Sequence, residues 1–206
     1  MIDPLTFLTF VPAALALNLT PGADMMFCLG QGLRAGPRSA VAASAGISAG
    51  GIVHVTLAGL GLGAVAQQVP WALDVIRWIG VAYLLWLAWG ALRLRLPQRT
   101  DLPIRARRAF RDGFIVNLTN PKVILFVLAF VPQFVDPAAG SILGQFLIYG
   151  AVLGVGGFVI NGAVGVFAGG LGRRMTAAPR LARGLGYATA AIFTGLALRL
   201  ALLQRA

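Results

Sequence analysis

Residues 40–66 have the sequence AVAASAGISAGGIVHVTLAGLGLGAVA, which contains no Asp, Glu, Lys or Arg. A helix needs roughly 20 apolar residues to cross the hydrocarbon core of a bilayer. Only Ser44, Ser48, His54 and Thr56 interrupt the small and apolar side chains of this stretch. The stretch is therefore predicted to be a membrane-spanning helix.

The rest of the chain repeats this pattern. Five further apolar blocks lie at 5–30, 71–92, 113–134, 142–171 and 185–203. Charged residues make up 11% of the chain, too few to cover a soluble surface, since soluble proteins carry about 25%. The 206 residues therefore predict a single all-α transmembrane domain with six spanning helices. The first block lacks the basic flank of a signal peptide, so we expect it to remain as a helix.

The net charge of +11 comes mainly from arginines between the blocks. They occupy the first, third and fifth connections (Arg34 and Arg38, then seven arginines within 93–111, then four within 173–183), whereas the second and fourth have none. Cytoplasmic loops carry such an excess of positive charge. The odd connections are thus predicted to be cytoplasmic and both termini periplasmic. The same distribution, without a nucleic-acid motif, argues against nucleic-acid binding.

Two short motifs suggest an internal repeat. Asn-Leu-Thr-Pro-Gly at 18–22 is similar to Asn-Leu-Thr-Asn-Pro-Lys at 117–122, and residues 80–93 align with 186–199. Halves at 1–96 and 113–206, joined by a basic cytoplasmic loop at 97–112, would each contain three helices. An odd number inverts the second half, so the prediction is a 3+3 inverted repeat, a recurrent plan in transporters.

The prolines of both motifs interrupt the helical hydrogen-bond ladder, because proline has no N–H and displaces the carbonyl four residues earlier. Such breaks are either plain kinks or ligand sites. Two matching motifs favour a site, with Asn18, Pro21, Gly22, Asn117, Asn120, Pro121 and Lys122 as its candidates. The motifs sit at different depths in their blocks. Either the second broken helix begins within 105–112, or both motifs lie toward the cytoplasm.

Three ionisable residues lie inside apolar blocks: Asp24, His54 and Lys122. Charge at membrane depth is unfavourable and points to function. Asp24 and Lys122 would either pair with each other or bind the two charged ends of a zwitterion. His54 would either carry a proton, since imidazole titrates near neutral pH, or serve as a packing residue.

The sequence has no pattern for an enzyme, cofactor or metal. It has no Glu, one His and one Cys, which give no acidic pair and no zinc site. Glycines four apart (46/50, 59/63, 150/154 and 165/169) mark close helix contacts within or between subunits. They leave a homodimer open.

Taken together, the motifs resemble the lysine exporter and homoserine/threonine resistance (LysE/RhtB) family of amino-acid efflux proteins. The resemblance covers nearly the whole chain. Its segments are Thr-Pro-Gly-Ala-Asp at 20–24, 46–54 with 59–62, 80–89, the longest match at 110–122, Ala-Phe-Val-Pro-Gln-Phe-Val at 129–135, and 195–199.

The resemblance implies a proton-driven antiporter that exports an amino acid or derivative across a bacterial inner membrane. The alternative is export of another small metabolite or a cation on the same architecture. Two positions depart from the family pattern: Ala23 stands where Pro is usual, and Gly51 stands where an acidic residue is frequent. The first departure changes the residue that follows the Pro-Gly of the first break. The second removes a possible proton carrier.

Overall fold

A computed structural model of the chain describes residues 2–68 and 106–168 continuously, together with single helical residues within 75–92 and 184–202. Every regular element in these residues is a helix, and they contain no β-strand. The all-helical prediction is confirmed for this part of the chain. The predicted blocks at 71–92 and 185–203 lie largely outside the described residues.

The first apolar block folds as two helices with a bend between them. Helix α1 is Pro4–Leu19 and helix α2 is Ala23–Ala35, and their axes differ by 51°. Helical structure stops at Thr20 and resumes at Ala23, so the bend falls on Pro21, where the break is predicted.

The block predicted at 113–134 is bent in the same way, by 50°. Its elements are α4 (Ala106–Leu118) and α5 (Pro121–Leu125), with a π-helical turn at Phe126–Phe130 and a 3₁₀ turn at Val131–Phe134. The bend lies directly before Pro121.

Helix α4 begins at Ala106 rather than at residue 113. Ala109, Gly113 and Asn117 are buried at a spacing of four, while Arg108 lies on the exposed side. An amphipathic helix accepts arginine on its outer face, and average hydropathy therefore hides its first turns. Residues 106–112 thus belong to the helix and not to the predicted loop at 97–112. The alternative in which the second broken helix begins within 105–112 is confirmed.

Two helices are long and unbroken. Helix α3 is Pro37–Gln68 and helix α6 is Ile142–Val166. Both are long and apolar enough to cross a membrane, and each bent pair adds one more span if its two helices are counted together. The described residues therefore hold two to four spans, and the six predicted spans stay a prediction.

The long helices form the centre of the described structure. Ser44 Oγ in α3 donates to the Phe158 carbonyl of α6 at 2.8 Å, and Ser48 Oγ donates to the Gly154 carbonyl at 2.9 Å. Helix α4 packs on α3, α1 packs on α6, and α2 contacts both long helices.

The two motif asparagines make matching contacts in this arrangement. Asn18 of α1 lies against Gly156 of α6, where an added Cβ would be 2.7 Å from its Nδ2 atom. Asn117 of α4 lies against Gly50 of α3, where an added Cβ would be 2.8 Å from its Oδ1 atom. Each motif thus meets the long helix of the opposite half of the sequence.

Helices α3 and α4 approach each other closely at two glycines. A Cβ on Gly46 would overlap the carbonyl oxygen of Phe110, and a Cβ on Gly113 would overlap the carbonyl oxygen of Ala43. Four other glycines also face different helices of the same chain: Gly50, Gly59, Gly150 and Gly165. At these positions the small-residue spacing serves contacts within the subunit. A homodimer stays a prediction.

We expect Gly46→Ala to destabilise the protein, because the new methyl group meets a backbone carbonyl that cannot move aside without shifting α4. Overpacking of this kind costs about 1–3 kcal/mol, which is roughly 2–12 °C in Tm for a chain of this size. Thermal unfolding of the detergent-purified protein measures the change. The control is Gly61→Ala in the same helix, where an added Cβ meets nothing within 4 Å. Equal Tm values for the two variants would contradict the close α3–α4 contact.

Candidate functional site at the two helix breaks

Pro21 leaves the carbonyl of Leu17 without its helical partner, because a residue in this position would normally donate to the oxygen four residues earlier. The Thr20 carbonyl is also unpaired by the helix, since α1 ends at Leu19. Lys122 supplies both partners: its ammonium donates to Leu17 O and to Thr20 O, each at 3.0 Å. A cation at the C-terminal end of a helix is also favoured by the helix dipole.

Gly22 makes room for this contact. An added Cβ at Gly22 would lie 3.2 Å from Lys122 Nζ, so the ammonium rests directly on the backbone of the first break. Gly22 has extended backbone angles and precedes α2 without any side-chain cap. The first break is therefore held by a residue of the second.

Pro121 likewise removes the helical partner of the Asn117 carbonyl, which accepts from the Asn120 N–H at 2.9 Å and retains a second lone pair. His54 of α3 occupies it, since Nε2 lies 3.1 Å from Asn117 O. The acceptor is a carbonyl, so Nε2 carries the proton in this contact. Asn120 caps α5 through its Oδ1 atom, which accepts from the Lys122 N–H at 3.0 Å.

Asp24 lies in the first turn of α2 and is 5% exposed. The positive end of the helix dipole favours a carboxylate there. Asn117 Nδ2 donates to Asp24 Oδ2 at 2.9 Å. Asn117 thus contacts both residues. Its side-chain amide binds Asp24, and its backbone carbonyl binds His54.

Three buried polar atoms in this region have no hydrogen-bond partner among the described residues: Asp24 Oδ1, Asn117 Oδ1 and Asn120 Nδ2. Buried polar atoms in folded proteins are almost always paired. Two of the three are acceptors on neighbouring side chains, and one of them belongs to a carboxylate. An ammonium group or a proton fits these acceptors.

A partly open cavity adjoins Asp24 and Asn117; its empty volume of about 390 Å³ includes open solvent. Its other polar lining residues are Asn18, Ser48 and Asn161. The remaining wall is apolar or glycine: Leu17, Ile47, Gly51, Val123, Val127, Leu153, Gly154 and Gly157.

The structure separates the candidate residues into two groups. Asn18, Asp24 and Asn117 line the cavity. The others surround the breaks without lining it: Pro21, Gly22, His54, Asn120, Pro121 and Lys122. Within the described part of the chain, no salt bridge joins Asp24 to Lys122. The sequence suggested that Lys122 either pairs with Asp24 or binds one charged end of a zwitterion. In the structure its ammonium binds two carbonyl oxygens instead.

Sequence reasoning missed Asn161 and Ser48 as lining residues. Asn161 is 4% exposed and lies in the C-terminal part of α6, a helix without charged residues. A buried amide at membrane depth was the available signal. Gly51, where the family resemblance suggests an acidic residue, also lines the cavity, so this departure removes a charge from the cavity wall.

A model of the family described as LysE type translocator matches residues 15–204. No solved structure shows a significant match. Helices interrupted at matching motifs around a polar cavity define a membrane transport protein. The chain belongs to the LysE type translocator family.

Several curated proteins are similar to the chain. A homoserine/homoserine lactone efflux protein of Salmonella typhimurium is 37% identical over 65% of this chain and 66% of its own length. A leucine efflux protein of Klebsiella pneumoniae is 31% identical over 97% of this chain and 96% of its own length. An uncharacterized membrane protein of Vibrio cholerae is 35% identical over 72% and 74%.

We expect Lys122→Met to lower the stability of the protein, because two buried carbonyl oxygens lose their only strong donor. The loss is about 2 kcal/mol or more, or roughly 4–8 °C in Tm. Thermal unfolding in detergent measures it. The matched control is Arg111→Met, which removes a cation from an exposed pair with Asp112 and should change stability by less than about 0.5 kcal/mol. Identical unfolding of both variants would show that Lys122 does not hold the first break.

Proposed function

We propose that this protein is a secondary transporter that exports amino acids or their derivatives from the cytoplasm, driven by protons. One observation carries the proposal: the buried Asp24 carboxylate has an unpaired oxygen beside a cavity at the meeting point of two broken helices. A substrate ammonium has three donors, and Asp24 Oδ1 with Asn117 Oδ1 would accept two of them.

The relatives support amino acids as the substrate class. One is named for efflux of homoserine and its lactone, and another for efflux of leucine. Both of these amino acids carry the α-ammonium group that the two unpaired acceptors would bind.

The crossed contacts of the two motifs support an inverted repeat. Asn18 meets α6 and Asn117 meets α3, as a pseudo-two-fold axis between the halves requires. Alternating access in such transporters is a rocking of one repeat against the other around a fixed site. We therefore propose six helices in two inverted halves, with the two broken helices at the cavity. The arginine-rich connections face the cytoplasm of a bacterial inner membrane, and both termini face the periplasm.

Proton coupling follows from competition at Asp24. A protonated carboxylate does not attract an ammonium, so a proton entering from the periplasm would release the substrate. Either Asp24 itself or His54 would carry the proton; His54 contacts the backbone carbonyl of Asn117, whose side chain donates to Asp24.

Export of amino acids from preloaded cells, with and without a protonophore, tests the proposal. We expect Asp24→Asn to reduce export by about tenfold or more, because the charge-assisted contact with the ammonium is lost. Asp112→Asn is the matched control, since that carboxylate is partly exposed and pairs with Arg108 and Arg111. Wild-type export by Asp24→Asn, at equal protein level, would refute the assignment of Asp24.

His54→Gln is expected to separate coupling from binding. Glutamine can still donate to the Asn117 carbonyl but does not titrate. In proteoliposomes, exchange of labelled for unlabelled amino acid should persist, while accumulation driven by a pH gradient should be lost. Full gradient-driven accumulation by this variant would show that His54 is a packing residue.

A further inference from the structure

Among the polar residues that line the cavity, Asn161 is the one whose side-chain amide has no hydrogen bond with a described residue. It is 4% exposed, lies on α6 and lines the cavity. Its amide forms no hydrogen bond with any described residue. A buried amide that the protein leaves unpaired beside a cavity is available to a ligand.

The other amide and hydroxyl side chains of the cavity wall each already donate one hydrogen bond within the protein. Asn18 Nδ2 donates to Leu153 O at 3.1 Å, and Asn117 Nδ2 donates to Asp24. The Ser48 hydroxyl donates to the Gly154 carbonyl. The amides of Asn18 and Asn117 each keep one further N–H, so among the described lining residues Asn161 is the amide with both N–H donors unpaired.

The charges near the cavity also favour Asn161 as the group that binds a carboxylate. Asp24 is the charged group among the described lining residues, and an anion cannot bind a carboxylate. Lys122 is nearby, but its ammonium is directed at Leu17 O and Thr20 O. Since Lys122 is not among the lining residues, a neutral donor of the wall would meet the carboxylate of an amino acid in this cavity.

The rest of the wall indicates the side chain of the substrate. Leu17, Ile47, Val123, Val127 and Leu153 present only hydrocarbon. A charged substrate side chain would lose its hydration there without gaining a partner. An aliphatic side chain would instead gain from leaving water.

We propose that Asn161 binds the carboxylate of the substrate, and that this substrate is an α-amino acid with an uncharged aliphatic side chain. The inference rests on the proposed function, in which Asp24 binds the ammonium group. It assigns the opposite end of the substrate to α6 and makes Asn161 a residue that determines specificity.

The test compares three probes: L-leucine, its amide, which has an ammonium but no carboxylate, and L-lysine. Binding to detergent-purified protein is measured by thermal stabilisation, since a ligand that binds the folded state raises Tm. The wild type should bind leucine more tightly than lysine. Asn161→Leu should weaken leucine binding by about tenfold or more and leave binding of leucinamide within about twofold.

Asn161→Asp supplies the second arm, because it has nearly the same shape as asparagine and keeps the fold if the leucine variant does not. A second carboxylate repels leucine and attracts the cationic amide, so the ratio of their affinities should change in favour of leucinamide by more than tenfold. Such a change of preference is not produced by a merely structural role.

Unchanged preference between leucine and leucinamide in the Asn161→Asp variant would overturn the assignment, and tighter binding of lysine than leucine would overturn the side-chain class. Either result leaves the proposed function intact if Asp24→Asn still reduces export by about tenfold or more. A wild type that exports no amino acid would instead refute the proposed function.

Discussion

The missing N–H of proline is the constraint on which the described structure depends. Pro21 frees the carbonyl of Leu17, and Pro121 frees that of Asn117. Neither oxygen can be left unpaired in an apolar environment. Lys122 donates to the first, and the second accepts from both the Asn120 N–H and His54. Lys122 and His54 each reach the break of the other half of the sequence, Lys122 from the second break and His54 from α3.

This exchange brings charged groups together at a depth where they are otherwise unfavourable. Lys122 is stabilised by the C-terminal carbonyls of α1, and Asp24 by the N-terminal turn of α2 and the amide of Asn117. Each charge is thus stabilised by a helix end and not by the opposite charge of the other residue. Asp24 therefore retains an oxygen that faces no protein donor, and this oxygen is what a transported cationic group or a proton would use.

Small residues allow the polar centre to form. Helix α4 reaches α3 only because Gly46 and Gly113 lack side chains at backbone contacts. That contact sets Asn117 against Gly50 and within reach of Asp24. Packing between backbones is a general means of helix association in membranes, where hydrophobicity does not favour one apolar neighbour over another.

The sequence by itself determined the helical class, the positions of both breaks and the residues of greatest interest, because hydropathy and proline act locally. It left the start of α4 undecided between residue 113 and 105–112, because an amphipathic turn lowers the average hydropathy. It did not reveal that Lys122 binds α1, that Asn161 lines the cavity or that the glycines serve contacts within the chain. Only the tertiary structure decided these points, since each depends on which faces of distant helices meet, and chain spacing does not encode that.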